Sequence, residues 1–237
     1  MKYIEHLIEP NRLLLSWQAQ ESKNRSRYVI GELVRDGEKV VLRYFEDTAD
    51  YSNAVEHGFT GHPAFQIKKS STFDSQVVEA FVRRLPPRNR SDFYRYLEIR
   101  GINPDSEFSD FALLGYTGAK LPDDGFELVH PFENISEPFE LITEVAGFRH
   151  ESEIEKDSVN IGSTVDFVPE PDNSHDKRAV RIELDGKKLG YVDRGRVELF
   201  QYHLKADHLV RGEVVRKNGT ESRPLIYIYV TIVPKAA

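Results

Sequence analysis

No cysteine occurs in this 237-residue chain, which also has a single methionine and a single tryptophan. The absence of cysteine excludes disulfides and thiolate metal sites, and it removes any argument for an oxidising compartment. Long apolar runs are missing too. No stretch approaches the ~20 residues of a membrane span, and the opening MKYIEHLIEP carries acids and a histidine where a secretory signal needs an apolar core. A soluble, cytoplasmic protein with no membrane association is the expectation. There is no internal repeat, no low-complexity segment, no glycine-rich phosphate loop and no Ser-His-Asp pattern. His150, Glu151, Glu153, His175 and Asp176 could gather, and His203 and His208 lie close in sequence, but none of these spacings fixes a zinc geometry. The sequence therefore predicts no catalytic residue, no metal, no cofactor and no enzymatic activity.

What is present suits two modest domains: 39% hydrophobic and 11% aromatic residues support a packed core rather than disorder. The net charge of −7 argues against a generic nucleic-acid coat, but it hides a gradient. Residues 138–176 hold two Lys/Arg against ten Asp/Glu, whereas 177–223 hold twelve against seven. A second basic knot, RRLPPRNRSDFYRYLEIR (83–100), has six arginines and two acids. Positive faces of this kind can bind phosphates on an acidic protein, because screening limits a distant charge to ~8–10 Å. Solvated arginines on helices are the equal alternative for 83–100.

Periodicity divides the chain near 133–139. Before it, RLLLSWQ, YVIGELV and KVVLRYF read as strands, with Asp36-Gly37 as a hairpin signal. Three helices follow: one with Phe73, Val77, Phe81 and Leu85 on one face, one from a Ser91 cap to Gly101, and one from an Asn103 cap with Gly115 after its end. GFELVHPF closes that region as a strand. Beyond it come short strands, FELITEVAGF, STVDFVP, AVRIEL, KKLGYV, HLVRGEVVR and PLIYIYVTIV, with Asp185-Gly186 and Asn218-Gly219 as hairpin signals. One helix, RGRVELFQYHLKAD, interrupts them, with Val197, Phe200 and Leu204 on one face. The expected class is α+β: an N-terminal α/β subdomain with an antiparallel hairpin and three helices (1–135), then an OB-like antiparallel β-barrel with one or two helices (140–237).

The densest polar cluster is VPEPDNSHDKRAVRIEL (168–184). Asp172, Asn173, Ser174 and Asp176 can fold onto nearby backbone N–H groups as Asx-type turns, so a plain corner accounts for much of it. It does not by itself ask for His175 or for the basic run that follows. Asp172 with Asp185 and Lys187 also matches the bare nuclease pattern PD…DxK. That chemistry needs acid and lysine on one strand, and Asp185-Gly186 is the better turn.

In order, VAGFRH (145–150), this loop, KKLGYV (187–192) and the following helix resemble a HIRAN domain over about 143–233. The resemblance implies an OB-like barrel and, as in DNA-remodelling enzymes, binding of single-stranded DNA at its 3′ end. Carried over residue by residue, Arg149 would contact backbone phosphate. Asn173 and Asp176 would line the end pocket, with Asp176 accepting the terminal hydroxyl, and Tyr191 would contact or stack on a base. His150 and Glu151 stand where DNA-binding members have two aromatics, and His175 stands where they have tyrosine. Arg178, Lys188 and Arg194, from the basic run, complete the candidate DNA-binding set with His150 and His175.

RYVIGELVRDGEKVVLRY, FVRRLPPRNRSDFYRYLEIRGI and FSDFALLGYTGAKLPDDGFELV are similar, in order, to the N-terminal subdomain of HipA-type kinase toxins, over about 12–130. That family's ATP-binding and catalytic residues belong to a larger part this sequence does not contain, so kinase activity is not expected. Freestanding versions dock a truncated kinase. Two readings result. One is a non-enzymatic DNA-binding protein whose N-terminal domain docks a partner. The other is a toxin–antitoxin or defence-system regulator that binds a HipA-type Ser/Thr kinase.

Overall fold

The computed structural model describes residues 2–19, 26–121, 123–151, 154, 156–220 and 223–235. The chain forms two compact units: Ile8–Tyr96 with Asp105–Pro131, and Met1–Leu7 with Leu97–Pro104 and Phe132–Ala237. They are called the N-terminal and C-terminal units below. Short segments that precede residue 135 thus cluster with the C-terminal unit. The class is mixed α+β, and the paired strands of both units are antiparallel.

In the N-terminal unit, β1 (Arg12–Gln18), β2 (Arg27–Asp36) and β3 (Lys39–Tyr44) lie where the apolar alternation places them. Gly37, at φ 60°, opens the β2–β3 loop, one residue beyond where the Asp36-Gly37 signal put it, because Asp36 pairs with Lys39. Gly31 is obligatory in this hairpin: a Cβ there would stand 2.5 Å from the Arg43 carbonyl oxygen. Helix α1 (Ala49–Glu56) follows, then the two-residue strands β4 (Gly61–His62), β5 (Phe65–Gln66) and β6 (Thr72–Phe73). Next come α2 (Val77–Val82), α3 (Phe93–Glu98), whose last two residues are assigned to the C-terminal unit, α4 (Asp110–Thr117) and β7 (Phe126–Val129). The main sheet runs β6-β3-β2-β1-β7; Leu13, Leu15, Ile30, Leu33 and Leu42 are buried on it, as are Phe81 of α2 and Leu113 of α4 in the same unit.

One helix was not expected, and two helix expectations need correction. Helix α1 has too few apolar residues to show a period, yet Thr48 caps it by accepting the Tyr51 N–H at 3.2 Å. Helix α2 is only six residues long, because Phe73 lies in β6 and Gln76 turns the chain left-handed (φ 56°) just before it. Helix α4 starts not at Asn103 but at Ser109, whose Oγ accepts the Ala112 N–H at 3.0 Å. Gly115 lies inside α4, where a Cβ would press on Leu13 at 2.6 Å, and Gly118 (φ 74°) ends it.

The C-terminal unit is built on one six-stranded sheet, ordered β11-β10-β9-β12-β13-β8. Its strands are β8 (Phe139–Glu144), β9 (Thr164–Pro169), β10 (Val180–Leu184), β11 (Lys187–Tyr191), β12 (Leu209–Thr220) and β13 (Arg223–Val233). The sheet curls until its edges meet. Just past β8, Ala146 exchanges two 2.8 Å backbone hydrogen bonds with Tyr191 of β11, which removes an open edge and gives the OB-like half-barrel. Gly190 sits at this seam with φ 149°, and a Cβ there would be 2.5 Å from the Ala146 oxygen. Asp185 and Gly186, both at positive φ, form the two-residue turn the sequence announced. Asn218-Gly219 does not: both residues pair within β12, and the ladder continues to Thr220–Arg223. Helix α5 (Val197–Lys205) follows a 3₁₀ turn started by Asp193, whose Oδ1 accepts the Gly195 N–H at 3.0 Å. Its buried Phe200 packs on Phe167 of β9 at 4.8 Å. Among the described residues, no helix is long and apolar enough to cross a membrane.

Candidate nucleic-acid interface

The 170–178 loop joins β9 to β10, two strands held in register by pairs such as Val180–Pro169. Glu170 keeps that register by donating its N–H to the Ala179 oxygen, and from there the chain must turn outward at Pro171. Asn173 sets the turn. Its Oδ1 accepts the N–H groups of His175 (2.9 Å) and Asp176 (3.0 Å), the Asx geometry expected for this cluster. Its Nδ2 donates to Glu170 Oε2 (2.6 Å) and to the Tyr191 hydroxyl (3.0 Å). Two donors and two acceptor sites are thus filled internally, so Asn173 shapes the loop rather than offering itself to a ligand.

Glu170 is the residue that sequence reasoning missed. It also accepts from the Tyr191 hydroxyl (2.8 Å) and pairs with Arg181 (3.3 Å). The Asn173 amide, then the Tyr191 hydroxyl and the charges of Arg181 and Lys188, hold its carboxyl below the usual range against the opposing pull of burial. Its place directly before Pro171-Asp172-Asn173 was the available signal, but Arg181 and Tyr191 reach it only through folding.

Asp176 caps the loop's exit by accepting the Arg178 N–H at 2.9 Å. Burial raises its carboxyl, but the Arg178 backbone N–H and guanidinium and the charge of Arg194 outweigh that, and it stays below its ordinary value. Its Oδ2 receives only a long 3.4 Å contact from Arg178, so acceptor capacity remains. The Arg178 guanidinium also reaches Glu198 of α5 at 3.1 Å. His175 is exposed at the tip. Pro171, Asp172, Asn173, Ser174, His175 and Lys177 line an open cleft of about 470 Å³.

The remaining candidates stand around Tyr191. Gly147, with φ 81°, lies where an added Cβ would stand 4.0 Å from its ring, and it leads into the 3₁₀ turn Phe148–His150. Arg149 and His150 are exposed there, and Arg149 Nε donates to His150 Nε2 at 2.8 Å. Lys188 places its Nζ 4.4 Å from the Tyr191 ring centroid and 3.0 Å from Glu151. Glu151, a carboxylate next to a proposed phosphate contact, is thus neutralised within the fold, at the cost of one cation. Burial lowers the Lys188 ammonium, but Tyr191 and Glu151 outweigh it and the net shift is upward. Contacts therefore link Glu151, Lys188, Tyr191, Glu170, Asn173 and Asp176, with Arg149 and His150 alongside and Arg194 close enough to act on Asp176.

Asp185 and Lys187 lie in the β10–β11 turn and at the start of β11, not two apart on one strand, so the nuclease pattern is not assembled. Among the described residues, no three metal-ligating side chains gather; Glu153 lies outside those residues. His203 and His208 meet at 2.8 Å as a pair, and burial followed by the charge of His208 lowers His203 to about 4.

No curated protein matches this chain. Two solved structures are similar to it, each with a TM-score of 0.34. The HIRAN domain of human HLTF is 20% identical, over 39% of this chain and 74% of that one. A protein from Lactobacillus plantarum is 17% identical, over 40% of this chain and 98% of that one. The family comparison identifies a specific segment: residues 138–233 match the HIRAN domain.

Proposed function

We propose that residues 138–233 bind single-stranded DNA without catalysing a reaction, and that the 171–177 cleft takes a free 3′ end. The observation that carries this reading is the Asp176 carboxylate. It is held ionised and partly unsatisfied beside a cleft that Asn173 keeps open. Such a group accepts a hydrogen bond from a sugar hydroxyl and repels a terminal phosphate. Arg149, with His150 as its hydrogen-bond partner, supplies a cation for the backbone, while Tyr191 is braced at hydroxyl and ring for contact with a base.

Fluorescence anisotropy with three labelled strands tests this: one with a free 3′ hydroxyl, one with a 3′ phosphate and one closed circle. Preference for the free hydroxyl is expected. Equal binding to all three, fading with salt, would reduce the site to a basic surface.

The N-terminal unit we assign to docking a protein partner, with a HipA-type kinase as the candidate. This reading rests on the sequence resemblance over about 12–130. Leu33, Phe81, Leu85, Leu113 and Leu114 are buried, so they specify a fold and leave partner choice to the exposed surface. Co-expression with such a kinase, followed by size-exclusion chromatography, checks for a complex.

A further inference from the structure

Helix α5 presents Glu198, Gln201, Tyr202 and Lys205 outward, at the i, i+3, i+4, i+7 spacing that puts side chains on one face. The opposite face buries Val197, Phe200 and His203. Tyr202 is 64% exposed, the most exposed tyrosine among the described residues. Two imidazoles orient its ring edge-to-face, His203 at 5.0 Å and His208 at 5.9 Å. With Lys177 and Arg178, these outward residues line a second open groove of about 290 Å³.

This groove continues the first. Lys177 lines both, and α5 is fastened to the loop where they join, through Gln201 Nε2 donating to the Arg178 oxygen at 3.0 Å and Arg178 pairing with Glu198. Arg178 is therefore occupied. Lys177 and Lys205 form no ion pair or hydrogen bond among the described residues, which leaves two unneutralised cations flanking an exposed aromatic ring. A positive groove with a stacking platform suits a single strand, whose phosphates need cations and whose bases each offer a flat face.

We propose that the outer face of α5 is a second contact for the same strand. Nucleotides leaving the 3′-end cleft cross Lys177, stack a base on Tyr202 and set a phosphate against Lys205. This rests on the DNA-binding reading above and adds the path taken by the strand beyond its end.

The test compares the parent with Tyr202→Ala and Lys205→Gln on two 5′-labelled strands with free 3′ hydroxyls. The short strand of about four nucleotides reaches only the cleft; the long one, of about twelve, reaches α5 as well. The parent should bind the long strand more tightly. Tyr202→Ala should weaken long-strand binding roughly tenfold and leave the short strand unchanged. Lys205→Gln should lower the salt dependence of long-strand affinity by about 0.7 in logarithmic slope. If both variants match the parent on the long strand, or lose equally on both lengths, the α5 contact is wrong and end recognition stands. A parent that binds neither strand overturns both readings.

Discussion

Two stretches of this chain are rich in arginine and lysine, and their charged groups end in different company. In the N-terminal unit, Arg84 is held bidentately by Asp124 (2.5 and 2.9 Å), Arg88 meets Asp110 at 2.5 Å, and Arg90 pairs with Asp92. The Arg88 guanidinium also lies over the Phe93 and Phe108 rings. In the C-terminal unit, Arg178, Arg181 and Lys188 are paired in the same way, but Arg149, Lys177 and Lys205 have no carboxylate partner among the described residues. A positive surface is thus decided by where the acids are placed and not by how many arginines a window contains. Arg84, Arg88 and Arg90 are tied to acids within the N-terminal unit, whereas among the described residues Arg149, Lys177 and Lys205 of the C-terminal unit are not.

Breaking the buried member of the first set, Arg84, should cost the most. The Arg84 side chain is only 6% exposed and also donates from Nε to the Ala119 oxygen at 2.8 Å. Arg84→Ala strands Asp124 and that carbonyl, and should destabilise the N-terminal unit by about 3 kcal/mol in urea unfolding. DNA affinity should not change, because the side chain's partners among the described residues, Ala119, Asp124 and Phe126, all lie in its own unit. A variant that unfolds normally yet loses DNA would reverse the assignment of the two stretches.

The same contrast marks how far the sequence could be read. Period-two alternation placed the longer strands of both units but not the two-residue β4, β5 and β6, and the Asp185-Gly186 pair marked a hairpin that the structure forms with both residues at positive φ. Asn103-Pro104 was an equally regular helix start and lost to Ser109, which Glu9 supports by accepting its N–H (2.7 Å) and its hydroxyl (2.6 Å). That partner is a hundred residues away. The knot at 83–100 shows two acids in sequence, while Asp110 and Asp124 come from outside it. Glu170 is hidden for a similar reason: its importance lies in Tyr191 and Arg181, on β11 and β10.

Glu170 gives the second, smaller effect and sharpens the comparison through pH. Its folded carboxyl lies below the ordinary value, so its contribution is complete above that value and is lost as pH falls through the folded one. Stability of the C-terminal unit should therefore decline on acidification below the ordinary carboxylate range. Glu170→Gln should remove about 1.5 kcal/mol at neutral pH, the low end for a hydrogen bond to a charged group because the side chain is a quarter exposed, and flatten that acid limb. Unfolding followed at several pH values by hydrogen exchange at β9 and β10 separates this from the N-terminal unit. An acid limb identical to the parent's would mean that the network does not depend on the Glu170 charge.

The smallest effects make the sharpest pairing, because Arg149 and Arg90 are both exposed arginines. Arg90 is tied to Asp92, which lowers the acid through a hydrogen bond, and an exposed pair of this kind contributes little. Among the described residues Arg149 has only the neighbouring imidazole. Arg149→Ala should cut the salt dependence of single-strand binding by about 0.7 in logarithmic slope and weaken affinity several-fold at low salt. Arg90→Ala should change neither binding nor unfolding measurably. Both variants remove one positive charge, so overall charge cannot distinguish them. Equal losses of affinity would mean that DNA responds to the total charge of the chain, and that the unpaired cations near the 171–177 cleft have no special place in holding it.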